Sequence, residues 1–404
     1  MPPAPATKKE SAMRKFAFME KLLDGVVVEW KALGAVTTIK TGQSVNKQMI
    51  SANPGEYPVI NSGREPLGFI NEWNTDNDPI GITTRGAGVG SITWQEGKYF
   101  RGNLNYSVTI TSNQKIGTRY LYHLLLEMQS DIQALCTYDG IPALNAGNLK
   151  ELQIPIPCPE NPKKSLEIQA EIVRILDAFT ELTTELTTEL TARKKQYNYY
   201  RDQLLSFEEG EVEWKTLGEV AEYSKTRISF ERLDETNYVG VDNLLQNRAG
   251  KAESNYVPTS GNLTAYREGD TLIGNIRPYL KKIWQADRIG GTNGDVLVIH
   301  PTDESVNPRY LYQILADEKF FDYNMQHAKG AKMPRGNKDK IMEYCIPIPP
   351  LAEQARIVAI LDKFDALTHS LTEGLPREIA LRQKQYEHYR NLLLSFPRPE
   401  EVAA

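Results

Sequence analysis

A glycine-rich run between two apolar segments is the first stretch whose spacing could support chemistry. Residues 85–90 read Arg-Gly-Ala-Gly-Val-Gly and contain the glycine spacing of loops that cradle phosphates. A dinucleotide-binding loop needs a strand before it and a helix after it, whereas Ser91 to Trp94 alternates like a strand. The run therefore predicts a turn between two strands and not a dinucleotide site.

Asp78, Glu96 and Lys98 form a loose version of the acidic–acidic–lysine arrangement of metal-dependent nucleases. In such a site two carboxylates hold Mg²⁺ and the lysine stabilises developing negative charge. The same Glu-x-Lys spacing recurs at residues 29–31 and 213–215, so it carries little specificity. We therefore expect no metal site here, and a stand-alone Mg²⁺-dependent nuclease is kept only as an alternative for testing.

Histidine and cysteine add no catalytic or metal-binding pattern. No two histidines stand at the i, i+4 spacing of a helical metal pair, and no Cys-x-x-Cys occurs. These residues are His123, His300, His327, His369 and His388, with Cys136, Cys158 and Cys345. The cysteine usage predicts reduced thiols in a cytoplasmic protein. We also find no nucleophile–base pair, methyl-donor pocket or ATP loop, so the sequence gives no reason to predict an enzyme.

Basic residues near glycines are more informative. The second half has basic clusters within residues 277–282, which include a tyrosine, and within residues 329–340. Lysine and arginine on loops suit contacts with DNA phosphates and base edges, although the alternative is a solvated loop. The candidate DNA-binding residues are Lys40, Lys47, Arg64, Arg85, Arg101, Arg277, Tyr279, Lys281, Lys282, Lys329, Lys332, Arg335 and Lys338.

A tandem Thr-Glu-Leu-Thr repeat from Thr180 to Leu190 marks the element around which the chain is organised. Its leucines recur every four residues, and the flanking apolar positions step by three and four, as along a coiled-coil seam. This predicts one helix from about Leu166 to Phe207, about 60 Å long at 1.5 Å per residue. The predicted seam is Ile172, Ile175, Phe179, Leu182, Leu186 and Leu190.

The sequence before this helix resembles the sequence after it. Residues 29–34, Glu-Trp-Lys-Ala-Leu-Gly, return at 213–218, and Ile-Pro-Ile-Pro at 154–157 returns at 346–349. The offset stays between 184 and 192 residues, which indicates a duplicated domain. Short β-like runs and a short helix in each half predict two similar mixed α/β domains, each followed by helix.

The second helical region differs from the first. Its seam continues through Ile357, Ile360, Phe364, Leu367 and Leu371. Glu373-Gly374-Leu375-Pro376 then interrupts it, because a proline inside a helix costs ~3 kcal/mol. We expect Pro376 to open a second helix that runs to about Phe396.

The predicted segments follow from these boundaries. They are an N-terminal lead with a short helix (1–25), a first domain (26–160), a helical spacer (161–210), a second domain (211–349) and a distal helical region (350–404). The 404 residues, 40% hydrophobic and 25% charged, are typical of a multidomain globular protein. No apolar run reaches membrane-spanning length, and the N-terminus has no signal-peptide core. The net charge of −5 argues weakly against a nucleic-acid partner.

These features together resemble the specificity subunits of type I restriction–modification systems. The resemblance covers roughly residues 16–398 and lies in the repeated Glu-Trp-Lys-x-Leu-Gly openings, the Ile-Pro-Ile-Pro exits and the Gln-Ala…Ile-Val…Ile-Leu-Asp helices. Lys-Gln-Tyr…Leu-Leu-Ser-Phe completes the set. The Thr-Glu-Leu-Thr units and the Gly-Leu-Pro break resemble the subgroup with short tandem repeats in its central conserved region.

The resemblance implies that each half is a target recognition domain for one half of a split, asymmetric DNA site. The helical regions would pack antiparallel as a spacer and hold two methyltransferase (M) subunits, with motor-nuclease (R) subunits joining for restriction. S-adenosylmethionine, ATP and Mg²⁺ would then belong to those partners, and this cytoplasmic chain would be non-catalytic and bind no cofactor. A coiled-coil scaffold with two protein-binding modules is the alternative from another class.

Overall fold

The computed structural model describes residues 23, 25–63, 65–111, 115–208, 210–370 and 373–396. Most of the predicted N-terminal segment, Arg64 and Leu371 lie outside the described residues. The chain divides into two compact units. The first unit comprises the chain up to Leu182 together with the residues from Arg382 onward, and the second unit is Thr183–Leu381.

The first unit is a mixed α/β structure. Its strands are β1 (Val28–Ala32), β2 (Thr37–Thr41), β3 (Pro54–Ile60), β4 (Phe69–Ile70), β5 (Thr75–Asp76), β6 (Ile80–Thr83), β7 (Ile92–Trp94), β8 (Lys98–Arg101), β9 (Asn105–Ile110), β10 (Cys136–Thr137), β11 (Ala143–Leu144) and β12 (Gln153–Pro157). Its helices are α1 (Leu33–Val36), α2 (Lys47–Ala52), α3 (Thr118–Glu127), α4 (Gln129–Ala134) and α5 (Ala146–Lys150). The long helix α6 (Pro162–Leu204) begins in this unit and ends in the second.

Two sheets organise the first unit. One has the antiparallel order β2-β9-β6-β7, and the other has the order β4-β3-β8-β5 with β3 and β8 parallel. Separately, β1 pairs with β12, so Trp30 lies opposite Pro155. The extended Ile-Pro-Ile-Pro exit is therefore confirmed, as expected from the bias of residues that precede proline.

The second unit repeats this architecture. Its strands are β13 (Glu213–Thr216), β14 (Ala221–Tyr223), β15 (Arg227–Ser229), β16 (Tyr238–Val239), β17 (Asn262–Tyr266), β18 (Thr271–Gly274), β19 (Ile283–Gln285), β20 (Gly290–Thr292), β21 (Val296–Pro301) and β22 (Cys345–Ile348). Its helices are α7 (Leu217–Val220), α8 (Pro308–Leu315), α9 (Glu318–Gln326), α10 (Lys338–Met342), α11 (Leu351–Thr368) and the first part of α12 (Gly374–Leu394), with short 3₁₀ turns at Phe230–Arg232, Gln246–Arg248 and Pro278–Leu280.

The main sheets of the second unit resemble those of the first: one repeats the order β2-β9-β6-β7, whereas in the other the parallel pair lies at an edge and not in the middle. The two orders are β14-β21-β18-β19, antiparallel, and β15-β17-β20-β16, in which β16 and β20 are parallel. The ribbon of β13 and β22 places Trp214 opposite Pro347, as Trp30 lies opposite Pro155. The predicted duplication of mixed α/β domains is confirmed.

The long helices follow the sequence signals closely. Helix α6 begins at Pro162, earlier than predicted, because Asn161 Oδ1 accepts the Lys164 backbone N–H at 3.1 Å and proline suits the first helical position. Helix α12 begins at Gly374 and carries Pro376 in its first turn, where a missing N–H is tolerated. The predicted break in the distal region is therefore confirmed.

Each unit buries one main core against a stretch of long helix. In the first unit Ile172 and Leu176 of α6 and Leu393 of α12 are fully buried in the same apolar cluster. In the second unit Ile357 and Leu361 of α11 are fully buried in the equivalent cluster. Complete burial of such a side chain stabilises the fold by about 1.5–3 kcal/mol.

Candidate nucleic-acid interface and helix seam

The two basic stretches of the second half lie side by side. The Arg277 backbone N–H donates to the Pro334 carbonyl at 2.7 Å, and Arg335 forms a β-bridge with Ile276. Lys329 and Arg335 exchange backbone hydrogen bonds at 2.9 Å, which closes residues 329–335 into a hairpin that we call the second loop. The exposed candidates carried by these stretches are Arg277, Tyr279, Lys329, Lys332, Arg335 and Lys338.

Lys281 and Lys282 contribute less to this exposed surface. The Lys281 ammonium forms an ion pair with Glu318, and Lys282 Nζ donates to the Val241 carbonyl at 2.7 Å. Both lysines are partly buried. Because these ammonium groups are engaged within the unit, we leave them out of the surface that we propose for DNA.

The backbone after the second loop is tightly constrained. A Cβ atom at Gly336 would lie 2.4 Å from Asn324 Oδ1 and 2.8 Å from Asn275 Oδ1, so a side chain there would clash. Asn337 then caps α10 by accepting two backbone N–H groups. The backbone that presents Arg335 is therefore held on both sides, by the β-bridges and by this close packing.

Three candidates of the first unit are exposed. Lys40 lies on β2, Lys47 begins α2 behind its cap Asn46, and Arg85 follows β6. Arg85 also forms a β-bridge with Ala143. Their exposure is compatible with contacts to a polyanion.

Arg101 is not available as an exposed DNA contact, which corrects its place among the candidates. It is 3% exposed, and its guanidinium donates to the Asp78 carbonyl at 2.6 Å, to Asn105 Oδ1 at 2.6 Å and to the Ile80 carbonyl at 3.1 Å. Burial lowers the pKa of Arg101, while Tyr99 and Asp78 act in the opposite direction. This arginine, at the end of β8, joins its own sheet to strands β6 and β9 of the other sheet and serves the fold.

A loop that the sequence reasoning missed occupies the corresponding place in the first unit. The Gly86 N–H donates to the Pro142 carbonyl at 2.9 Å, as the Arg277 N–H donates to Pro334. We call residues 138–142 the first loop. Its residues Tyr138 and Ile141 are 60% and 65% exposed. The sequence did contain a signal for the equivalence of the two loops. Pro142 and Pro334 each precede a helix-capping asparagine by three residues, in a Pro-x-x-Asn spacing.

The nuclease-like residues do not converge. Asp78 Oδ2 accepts the Thr109 hydroxyl at 2.9 Å, Glu96 Oε1 accepts Trp94 Nε1 at 2.9 Å, and Lys98 Nζ lies 4.4 Å from the centre of the Trp73 ring. Within the described ranges, no group of three His, Cys, Asp or Glu residues could hold a metal ion.

The glycine run has the structure predicted for it. Residues 85–90 connect the antiparallel strands β6 and β7. The Val89 N–H donates to the Gly86 carbonyl at 3.0 Å, which makes a tight turn. The prediction of a turn between strands is therefore confirmed.

Aromatic contacts join the long helices within each unit. Phe179 of α6 stacks on Tyr389 of α12 with ring centres 5.0 Å apart in the first unit. In the second unit Tyr197 of α6 stacks on Phe364 of α11 at 5.6 Å and also meets His369 at 5.5 Å. The helices therefore pack against each other through apolar and aromatic side chains.

The predicted seam positions differ in burial. Ile172 and Ile357 are fully buried, whereas the remaining described members are partly buried. These partly buried members are Ile175, Phe179, Leu182, Leu186, Leu190, Ile360, Phe364 and Leu367. Leu176 and Leu361, which the seam omitted, are fully buried because the helices pack against the domain core as well as against a helix.

A polar network accompanies this packing in the first unit. Asp177 Oδ1 of α6 accepts Arg119 Nε and pairs with His123 Nε2, both at 2.8 Å. His123 Nδ1 lies 3.0 Å from the Tyr386 hydroxyl of α12. His123 is completely buried, and burial lowers its pKa despite the nearby Asp177 carboxylate.

The second unit repeats the network with glutamine in the place of histidine. Asp362 Oδ1 accepts Arg309 Nε at 2.8 Å and Gln313 Nε2 at 2.7 Å. Asp365 accepts Gln313 Nε2 at 2.8 Å and the Tyr197 hydroxyl at 2.7 Å. Burial would raise the pKa of Asp365, but hydrogen bonds from His369 and Gln313 help to lower it to about 2.

Comparison with known proteins agrees with this repeated organisation. The family model described as the type I restriction modification DNA specificity domain matches residues 27–194 and again residues 209–381. The specificity subunit of the type I restriction enzymes EcoR124I and EcoR124II from Escherichia coli is 37% identical over 97% of this chain and 100% of that protein. The chain belongs to the type I restriction–modification specificity subunits.

Other relatives fit this assignment. A putative type I restriction enzyme specificity subunit from Haemophilus influenzae is 31% identical over 94% of this chain and 98% of its own length. The type I system S subunit from M. genitalium has the same fold, with a TM-score of 0.63 at 18% identity over 93% of this chain and 98% of that one. The predictions of the family and of a non-catalytic specificity subunit are confirmed by this membership.

A structure from a study of complex assembly and conformational transition of the type I system also resembles the chain. Its TM-score is 0.51 at 15% identity, over 91% of this chain and 98% of that one. At this identity the likeness supports the fold.

No helix among the described residues is both long and apolar enough to cross a membrane.

Proposed function

We propose that this specificity subunit reads a bipartite, asymmetric DNA site, one half with residues 26–160 and the other with residues 211–349. The observation that carries the proposal is the pair of equivalent loops with unlike side chains. The second loop presents Lys329, Lys332 and Arg335. The first loop presents Tyr138 and Ile141 and carries Asp139. Two domains of one fold with different reading groups suit two different half-sites.

The proposal extends to the other exposed basic residues. Arg277, Lys338, Lys40, Lys47 and Arg85 are exposed and are assigned to phosphate or base contacts. Phosphate contacts fix the register of a protein on the duplex, whereas base-edge contacts carry the sequence information. The net charge of −5 is compatible with this role because partner subunits can supply further positive charge.

We assign catalysis to partner subunits assembled on the helices. Two methyltransferase subunits would use S-adenosylmethionine at adenine, and motor-nuclease subunits would use ATP and Mg²⁺. The helices α6, α11 and α12 would hold these subunits in the cytoplasm. Support comes from the family membership and from the assembly study that yielded a similar structure.

Reconstitution with the methyltransferase partner tests this function. The expected result is adenine methylation at one bipartite sequence, with methylation absent when this chain is omitted. Assembly without any sequence-specific DNA binding would instead favour a protein scaffold. Mg²⁺-dependent cleavage of DNA by this chain alone would favour the nuclease alternative.

A further inference from the structure

The second loop contains an arginine that is oriented by a carboxylate and still faces solvent. Arg335 Nη2 donates to Asp295 Oδ1 at 3.1 Å, and the two side chains are 57% and 39% exposed. An exposed ion pair of this kind contributes about 0–1 kcal/mol to stability. Because the pair contributes little to stability, its guanidinium can serve recognition at little cost to the fold.

The first unit lacks this pair at the same structural position. Asn275 donates its backbone N–H to the Asp295 carbonyl at 2.9 Å, as Thr84 does to the Leu104 carbonyl at 2.9 Å. Asp295 therefore corresponds to Leu104.

The arginine also has an apolar counterpart. Arg335 bridges Ile276, as Ala143 bridges Arg85, so Arg335 corresponds to Ala143. The duplicated fold carries a guanidinium–carboxylate pair in one domain and an alanine and a leucine in the other.

We propose that Arg335 reads a guanine in the half-site of the second domain, with Asp295 as its positioning residue. This rests on the proposed DNA-recognition function. A guanidinium presents two parallel N–H groups that match the O6 and N7 acceptors of guanine in the major groove, the commonest specific arginine–base contact. The carboxylate limits the rotation of the arginine, which reduces the entropy lost on binding.

Neighbouring lysines suit a different task. Lys329 and Lys332 are exposed on the same loop and carry a single ammonium on a flexible chain. An ammonium acts on phosphate as a point charge and has no planar fork. The loop thus combines one geometrically constrained arginine with charges suited to the backbone, and the first domain has no arginine with which to read guanine at this position.

The test removes guanine N7 from the DNA and the planar guanidinium of Arg335 from the protein, each change being made separately. Methylation mapping first defines the bipartite site, and exchange of residues 211–349 shows which half belongs to the second domain. Each guanine of that half-site is then replaced in turn by 7-deazaguanine, and DNA binding by the assembled methyltransferase complex is measured over a range of salt concentrations. The variants are Arg335→Lys and Asp295→Asn.

The matched control is Arg288→Lys. Arg288 lies 2.8 Å from Asp287 in another exposed arginine–aspartate pair, with side chains 47% and 58% exposed. This pair shares the chemistry of the Arg335–Asp295 pair but lies outside the second loop.

At one guanine position, replacement by 7-deazaguanine should reduce the affinity of the complex for DNA about tenfold, because N7 is lost. Arg335→Lys should reduce that sensitivity, because the planar fork is lost, but should keep the salt dependence, because the charge remains. Asp295→Asn should reduce the sensitivity in part, and Arg288→Lys should keep it. A half-site without guanine, or an Arg335→Lys complex as sensitive as the parent, would overturn this inference. If methylation mapping found no bipartite site for the parent complex, the proposed function itself would be refuted.

Discussion

Deleting Thr184 to Thr187 removes one four-residue unit from the middle of α6. The structure has a continuous helix there, in which Thr184 and Thr187 are exposed and Leu186 is partly buried. The Thr187 hydroxyl donates to the Thr183 carbonyl at 2.7 Å. The deletion removes this local bond, on which the helix does not depend. We expect the helix to persist, with Leu190 taking the place of Leu186.

The expected effect follows from helix geometry. Four residues correspond to about 6 Å of helix and about 400° of rotation, so the apolar face returns to within about 40° of its former direction. One base pair of B-DNA rises about 3.4 Å. If α6 sets the spacing between the half-sites, the DNA spacer should shorten by one or two base pairs, with both recognised half-sites unchanged.

Methylation mapping of the deletion variant and its parent measures this directly. A two-residue deletion at the same place is the control, because about 200° of rotation turns the leucine face to the opposite side of the helix. That control should lose assembly or methylation. A four-residue deletion with an unchanged spacer, or with an altered half-site, would refute the view of α6 as a ruler.

Three further predictions test the packing and the basic loop. Burial lowers the pKa of His123 in the folded chain, so as the pH falls below about 6.5 the unfolded chain takes up a proton first and the free energy of unfolding should decrease. The variant His123→Gln places the residue found at Gln313 in the first unit and should make this decrease smaller. Denaturant titrations at several pH values measure it. Leu176→Ala should cost about 2–5 kcal/mol of unfolding free energy, and Leu186→Ala clearly less, since Leu186 is only partly buried. Replacing Lys329 and Lys332 by alanine should weaken DNA binding and reduce its salt dependence by about one phosphate contact per lost charge; an unchanged salt dependence would mean that these lysines are merely solvated.

The architecture could be predicted because its signals are local or repeated. The Thr-Glu-Leu-Thr periodicity indicated α6, Pro376 indicated the start of α12, and the repeated Ile-Pro-Ile-Pro exits indicated equivalent ribbons. Each of these rests on helix periodicity or on proline stereochemistry, which act over a few residues.

The candidate interface was harder to predict because burial and pairing depend on distant residues. Arg101 looks like another loop arginine in the sequence, yet its guanidinium is held by the Asp78 and Ile80 carbonyls, more than twenty residues away. The Arg335–Asp295 pair joins residues forty apart. Composition showed that the loops are basic, but only the fold shows which charges are engaged.

Exchange of the first domain is the most direct test of the account. Residues 26–160 are replaced by the corresponding domain of a relative that recognises a different site, and methylated adenines are mapped for the assembled complex. The account predicts a change in one half-site, with the other half-site and the spacer retained. A change in both half-sites, or in neither, would contradict the claim that each domain reads its own half of the DNA site.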